Sequence, residues 1–112
     1  MDKMNRYRKI VHDLLTTIAE RPYSSDTLVH EALFDEEKGN YVVMTIGWMG
    51  PSRRVHHCLM HLEVKNDKIW IQRDGTEDGI AYDLEAAGVP KSDIVLAFRS
   101  PEIRQLSGYA VA

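Results

Sequence analysis

The sequence is short of several things that would point to a definite chemistry. Cys58 is its only cysteine, so no internal disulfide and no zinc knuckle built on thiolates can form, which fits a reducing compartment. No stretch approaches the roughly 18 consecutive apolar residues that a membrane span requires. The opening Met1-Asp2-Lys3-Met4-Asn5 lacks the apolar core of a secretion signal, so a cytoplasmic protein with no membrane contact is expected. Basic charge is also scarce. Lysine and arginine number 14 against 17 acidic residues, a formal charge of −3, so the molecule as a whole does not attract a polyanion and any nucleic-acid contact must use a local patch. The common catalytic signatures are missing too: there is no Gly-x-Ser-x-Gly, no phosphate-binding glycine loop and no His-Glu-x-x-His. Gly47, Gly50, Gly75 and Gly79 do not match a dinucleotide fingerprint.

What is present describes one ordinary domain. Hydrophobic residues make up 44% and charged residues 28% of 112 positions, so residues 1–112 are expected to fold as a single unit around one core. Met4, Tyr7, Val11, Leu14, Leu15 and Ile18 recur at helical spacing and predict an N-terminal helix that Pro22 stops. From Thr27 the period becomes two. Leu28, His30, Ala32 and Phe34 are expected on one face of a strand, and Val29 and Leu33 on the other. Tyr41 to Trp48 reads as a central strand, Arg53 to Val64 as a long one, and Lys68 to Gln72 returns from it across Asn66-Asp67 at hairpin spacing. Short connections favour a four-stranded antiparallel meander. A second helix is expected from Thr76 as N-cap to a stop at Gly88 and Pro90, followed by a short apolar strand from Ile94 to Phe98. The fold class is α+β.

The residues nearest to a chemical story are His56, His57, Cys58 and His61. On a strand His57 and His61 share a face with Leu59 and Glu63, while His56 and Cys58 share the other with Met60 and Leu62. Residues two and four apart on one face are about 7 and 13 Å apart, too far to converge on one ion, so neither a metal site nor any cofactor is expected. Cys58 among apolar neighbours reads as an inert thiol. Asp74-Gly75-Thr76-Glu77-Asp78-Gly79 offers several oxygens but not the full calcium-loop pattern, and reads as a capped strand-to-helix turn. Two small basic clusters, Lys3-Arg6-Arg8-Lys9 and Arg53-Arg54, read as solvated charge, and DNA contact is expected to be weak or indirect. Trp48 and Trp70 sit on strands, as core or as binding anchors.

Beyond these features, several irregular blocks resemble one family. Cys58 to Gln72 is similar to the signature hairpin of the XisI family, the fdxN element excision controlling factors of cyanobacteria. Asp74-Gly75-Thr76-Glu77, Gly79-Ile80-Ala81, Ala87 to Lys91, Asp93 to Phe98 and the ending Tyr109-Ala110-Val111-Ala112 follow in family order, with Tyr7-Arg8 and Gly47-Trp48 ahead of them. The segment Gln105-Leu106-Ser107-Gly108 departs from the more aromatic and charged pattern at that place, which weakens any partner contact expected there.

The resemblance implies an XisI-like domain without an active site. It further implies a controlling role, together with an XisH-like protein, in excision of a DNA element during heterocyst development. On that reading the candidate partner contacts are Arg53, Arg54, Trp48, Arg104 and Tyr109. An antitoxin-like neutraliser of a nuclease-like partner is the alternative, and a small hydrolase using His57, His61 and an acid is a third. The sheet also predicts self-association. Leu28, Ala32 and Phe34 oppose Val29 and Leu33, and Val42, Met44 and Ile46 are expected to oppose Val43 and Trp48. Both faces are therefore apolar, and a two-fold homodimer is the simplest cover for the second.

Overall fold

The computed structural model describes residues 2–21 and 27–112. Helix α1 (Lys3–Glu20) begins where the Asp2 carboxylate accepts a hydrogen bond from the Asn5 N–H at 2.8 Å. It buries Tyr7, Val11, Leu15 and Ile18, the stripe that the helical spacing predicts. The helix ends at Glu20 with Arg21 as its cap; Pro22, the expected stop, lies outside the described residues.

Strands β1 (Leu28–Asp35), β2 (Asn40–Met49), β3 (Arg53–Lys65) and β4 (Lys68–Asp74) form an antiparallel meander in chain order, as expected. Asn66 and Asp67 both take positive φ, 53° and 61°, so the β3–β4 connection is a two-residue turn whose twist matches the strands it joins. A connection carrying helix α2 (Ile80–Ala86) then returns the chain to lay β5 (Ile94–Leu96) parallel to β4. A short helix α3 (Pro101–Arg104) opens the tail, whose end bridges Val95 to Ala110.

Helices α1 and α2 cover one face of the sheet. Beneath them lies the core, in which Tyr7, Val11, Leu15, Tyr41, Val43, Met60, Leu62, Ile69, Leu84 and Ile94 are fully buried. The mixed α+β architecture follows from there being two helical stripes and one sheet face to receive them.

Three local expectations are corrected. Helix α2 starts at Ile80, after Gly79, and Thr76 is not its cap. Instead the Asp74 carboxylate accepts from the Thr76 N–H at 3.0 Å, the Thr76 hydroxyl at 2.5 Å and the Ile80 N–H at 2.7 Å, so one acid at the end of β4 organises the whole turn. Strand β5 stops at Leu96, where the Arg99 N–H bonds back to the Leu96 carbonyl and leaves Phe98 46% exposed. Trp48 lies with Val42, Met44 and Ile46, not opposite them. Tyr41, Val43 and Thr45 are the buried members of β2, and Trp48 shares the alternate parity.

Candidate partner-binding surface

Among the described residues, the face of the sheet turned away from the helices is covered at one end. There the tail folds across β4 and β5, held by Arg104. Its guanidinium donates to the carbonyls of Ala97, Arg99, Leu96 and Val111 at 3.2, 2.9, 3.3 and 3.3 Å, and lies 5.9 Å from the Trp70 ring. Tyr109 packs at the same end and donates to Glu85 at 2.8 Å. Burial, then the Glu85 carboxylate, push its phenol up to about 12. Arg104 and Tyr109 are thus engaged within the chain.

Over β1, β2 and β3 this outer face is open among the described residues. Val29 is 57% exposed, Leu33 51% and Trp48 46%, and the register sets them beside one another: Val29 opposes Ile46 and Leu33 opposes Val42, with Glu31 opposite Met44 between them. At one end of the patch the β2–β3 hairpin gathers the other predicted contacts. Trp48 opposes Arg54, whose guanidinium lies 5.3 Å from the indole ring and reaches the Gly47 carbonyl at 3.5 Å, and Met49 opposes Arg53. Met49, 49% exposed, extends the apolar tip and lay just beyond the run that marked the strand in sequence. The structure therefore brings Trp48, Arg53 and Arg54 together and sets Arg104 and Tyr109 apart at the opposite edge.

Glycine makes the tip possible. Gly47 has φ of 151°, and a Cβ there would sit 2.0 Å from the Thr27 carbonyl oxygen. That close approach lets the Trp48 N–H bond Thr27 O at 3.1 Å while the Thr27 hydroxyl donates to Trp48 O at 2.6 Å, tying the start of β1 to the end of β2.

The histidine cluster is arranged differently from the expectation for an unbroken strand. Val43 pairs with Met60 but Met44 pairs with Cys58, so Leu59 is an extra residue, a β-bulge, and parity inverts across it. His56 and Cys58 consequently share the outer face with His61 and Glu63, whereas His57 opposes the buried Thr45 on the helix side. His57 and His61 do not share a face, which removes the pairing on which a hydrolase was imagined. His61 instead lies 3.0 Å from the Asn40 side-chain oxygen, and burial holds its imidazole below the usual range against the raising effect of Glu63. Burial pushes the Cys58 thiol up, against Arg73 and the Met60 carbonyl contact, which makes it a poor nucleophile. Among the described residues no three His, Cys, Asp or Glu side chains are placed to hold a metal ion.

A hollow of about 390 Å³ on the helix side is lined by Arg21, His30, Leu59, Glu77, Asp78 and Asp83 among others. The acids at its rim surround a turn whose central carboxylate, Asp74, is already occupied by three donors. Among the described residues, no helix is long and apolar enough to cross a membrane.

A family model described as XisI protein matches residues 1–111. Among solved structures, the chain is similar to a XisI-like protein from Anabaena variabilis ATCC 29413, with a TM-score of 0.89 and 35% identity over 97% of this chain and 99% of that one. It is also similar to the fdxN element excision controlling factor XisI from the same strain, with a TM-score of 0.84 and 32% identity over 99% and 100% of the two chains. No curated protein matches. With the family model spanning residues 1–111 and both solved relatives superposing along nearly their whole length, the chain belongs to the XisI family.

Proposed function

We propose that this chain is a non-enzymatic controlling factor for the site-specific excision of a DNA element, acting by binding a protein partner in the cytoplasm. The observation that carries the reading is the open outer face, at whose end Trp48 and Arg54 present an aromatic and a cationic side chain, with Met49 and Arg53 paired next to them at the same hairpin tip on the opposite face. Exposed aromatic and arginine side chains beside an apolar patch are the usual anchors of protein interfaces. The name of the solved relative, an excision controlling factor, supports the excision role, and the family resemblance suggests an XisH-like protein as the partner.

Direct DNA binding has little to work with. On α1, Lys3 is paired with Asp93 at 2.8 Å, Lys9 with Asp13 at 3.0 Å, and Arg6 lies 5.0 Å from the Tyr7 ring. Neutralising several phosphates needs free, clustered cations, so the isolated chain binds duplex DNA only at the non-specific level. The chain is also proposed to act as a homo-oligomer.

The test is co-expression with an XisH-like protein from the same genome, followed by size-exclusion chromatography. The wild type co-elutes with that partner, and Trp48→Ala with Arg54→Glu loses it. Failure of the wild type to co-elute, together with tight and sequence-selective DNA binding by the chain alone, refutes the reading.

A further inference from the structure

Strand β3 outruns the strand beside it. Its pairing with β4 stops at Met60, opposite Asp74, whereas its pairing with β2 continues to Arg53, opposite Met49. Residues 53–58 therefore have β2 on one side and, among the described residues, no strand on the other. The backbone points into that gap. The Trp48 N–H and carbonyl both bond Thr27 on the β1 side, so Arg54, which opposes Trp48, has its own N–H and carbonyl turned away from β2. His56 and Cys58, two and four residues on, turn the same way, and the Cys58 carbonyl accepts from the Arg73 guanidinium at 3.4 Å. The N–H and C=O groups of Arg54 and His56 thus form an open edge, the kind of edge that another chain can pair with.

The side chains over this edge carry one sign of charge. Arg54 and His56 lie on the outer face, and Arg73, opposite His61, joins them from the end of β4. Neither arginine is in an ion pair among the described residues. From Thr45 to Cys58 there is no acid, although the chain has 17. The nearby acids are engaged or face elsewhere. Glu63, beyond the bulge, meets Gln72 at 3.2 Å and Lys65 at 3.4 Å, and Asp74 holds the donors of its own turn. Glu31 lies on β1, with β2 between it and β3, and Glu77 and Asp78 line the hollow on the helix side.

We infer that the protein partner contributes an extended acidic segment, which adds to β3 as an antiparallel strand in the place where β4 stops. Its backbone pairs with Arg54 and His56, and its carboxylates, at alternate positions on the outer face, meet Arg54 and Arg73. A polypeptide suits this edge better than a nucleic acid. The edge offers N–H donors and carbonyl acceptors together, which another peptide backbone matches, whereas a phosphate backbone only accepts. The inference rests on the partner-binding reading above and gives the form of the contact.

Calorimetric titration of the full chain with a capped octapeptide of alternating glutamate and threonine tests it. The wild type binds the peptide at about 50 mM salt, and about 500 mM salt weakens binding at least about 10-fold. The double variant Arg54→Glu, Arg73→Glu loses at least about 10-fold in affinity. Both side chains are exposed, so its far-UV circular dichroism and cooperative melt persist. Arg54→Lys with Arg73→Lys keeps the charge and stays within about threefold, and Lys38→Glu, exposed in the β1–β2 turn, changes nothing. The same peptide N-methylated at its glutamates keeps its carboxylates but loses the donors that face β3, and binds at least about 10-fold more weakly. No binding by the wild type, equal binding of the N-methylated peptide, or full binding by the Arg54→Glu, Arg73→Glu variant overturns the inference. So does a short duplex DNA that binds through the same two arginines more tightly than the peptide. An XisH-like protein that co-elutes equally with the wild type and with this variant leaves the partner-binding reading standing and defeats the inference. A peptide that binds at this edge while the XisH-like protein fails to co-elute supports the edge as a strand acceptor and defeats that choice of partner.

Discussion

Asp93 offers the sharpest test of how the fold is held. It is 9% exposed, at the end of the 3-10 turn before β5, and accepts hydrogen bonds from the Tyr7 hydroxyl and from the Lys3 ammonium, the latter at 2.8 Å. Burial alone would raise its carboxyl, but Lys3, Tyr7 and the more distant Lys68 together hold it below the usual range. Asp93→Ala leaves the hydroxyl of the fully buried Tyr7 without an acceptor, at a cost of about 1–3 kcal/mol. It also frees Lys3, whose side chain is 44% exposed and whose pairing is therefore worth at most about 1 kcal/mol. A loss of about 2–3 kcal/mol lowers Tm by roughly 10 °C in a domain of this size. Asp93→Asn, which keeps an acceptor for Tyr7 but not the charge, costs about 1–2 kcal/mol. The pH dependence gives the sign. Because the folded carboxyl titrates below its unfolded value of about 3.9, its contribution is complete above that value and is lost as pH falls through the folded one. Thermal melts of wild type and Asp93→Asn should differ by a constant amount from pH 7 to about pH 5 and converge at lower pH. Equal stability at pH 7, or a gap unchanged at pH 3, would refute the reasoning.

Gly47→Ala forces a Cβ to within 2.0 Å of the Thr27 carbonyl and should cost at least about 2 kcal/mol, read as a lower urea midpoint. Asp74→Ala removes the acceptor of three donors and should destabilise by about 1–2 kcal/mol, whereas Thr76→Ala costs about half as much; equal losses would contradict the assignment of Asp74 as the organiser of the turn. Burial and a bonded carboxylate raise the phenols of Tyr7 and Tyr109 to about 12, and raise that of Tyr41 as well. The stability these neutral phenols provide is complete below pH 10 and lost as pH rises through the folded values, so their phenolate absorbance should appear only together with loss of far-UV signal.

The elements that were legible in the sequence are those in which one periodicity runs uninterrupted. The α1 stripe and the Asn66-Asp67 hairpin follow from local spacing and from residues that tolerate positive φ. The arrangement of the histidine strand was not legible, because the alternation rule assumes an unbroken ladder and one extra residue at Leu59 inverts every face beyond it. A hint was present in Gly75, whose N–H bonds the Leu59 carbonyl at 2.8 Å and where a Cβ would stand 2.8 Å from that oxygen. That contact joins residues far apart in the chain, so local patterning does not reveal it. The capping role of Asp74 was hidden for a related reason: Thr76 has the residue type of a cap, but its hydroxyl is spent on Asp74 and the helix begins four residues later. Arg104 and Tyr109 looked like exposed contact residues because a short tail rich in polar residues gives no sign that it will fold back on the sheet.

The residues that carry the family resemblance bear on function in a specific way. Tyr7 and Asp93 tie α1 to the start of β5, Gly47 admits the crossing of Thr27, and Asp74 organises the turn into α2. Gly88, with φ of 99°, closes α2 as the Val89 N–H bonds the Leu84 carbonyl, and Tyr109 fastens the tail to Glu85. Each of these positions holds one element to another, and none presents a nucleophile beside a base. Here they maintain a platform, and the side chains left pointing outward from it are aliphatic, aromatic and cationic: Val29, Leu33, Met44, Ile46, Trp48 and Arg54. Under the proposed partner-binding role, substitutions on that open face should change assembly while leaving the melting temperature nearly unaltered.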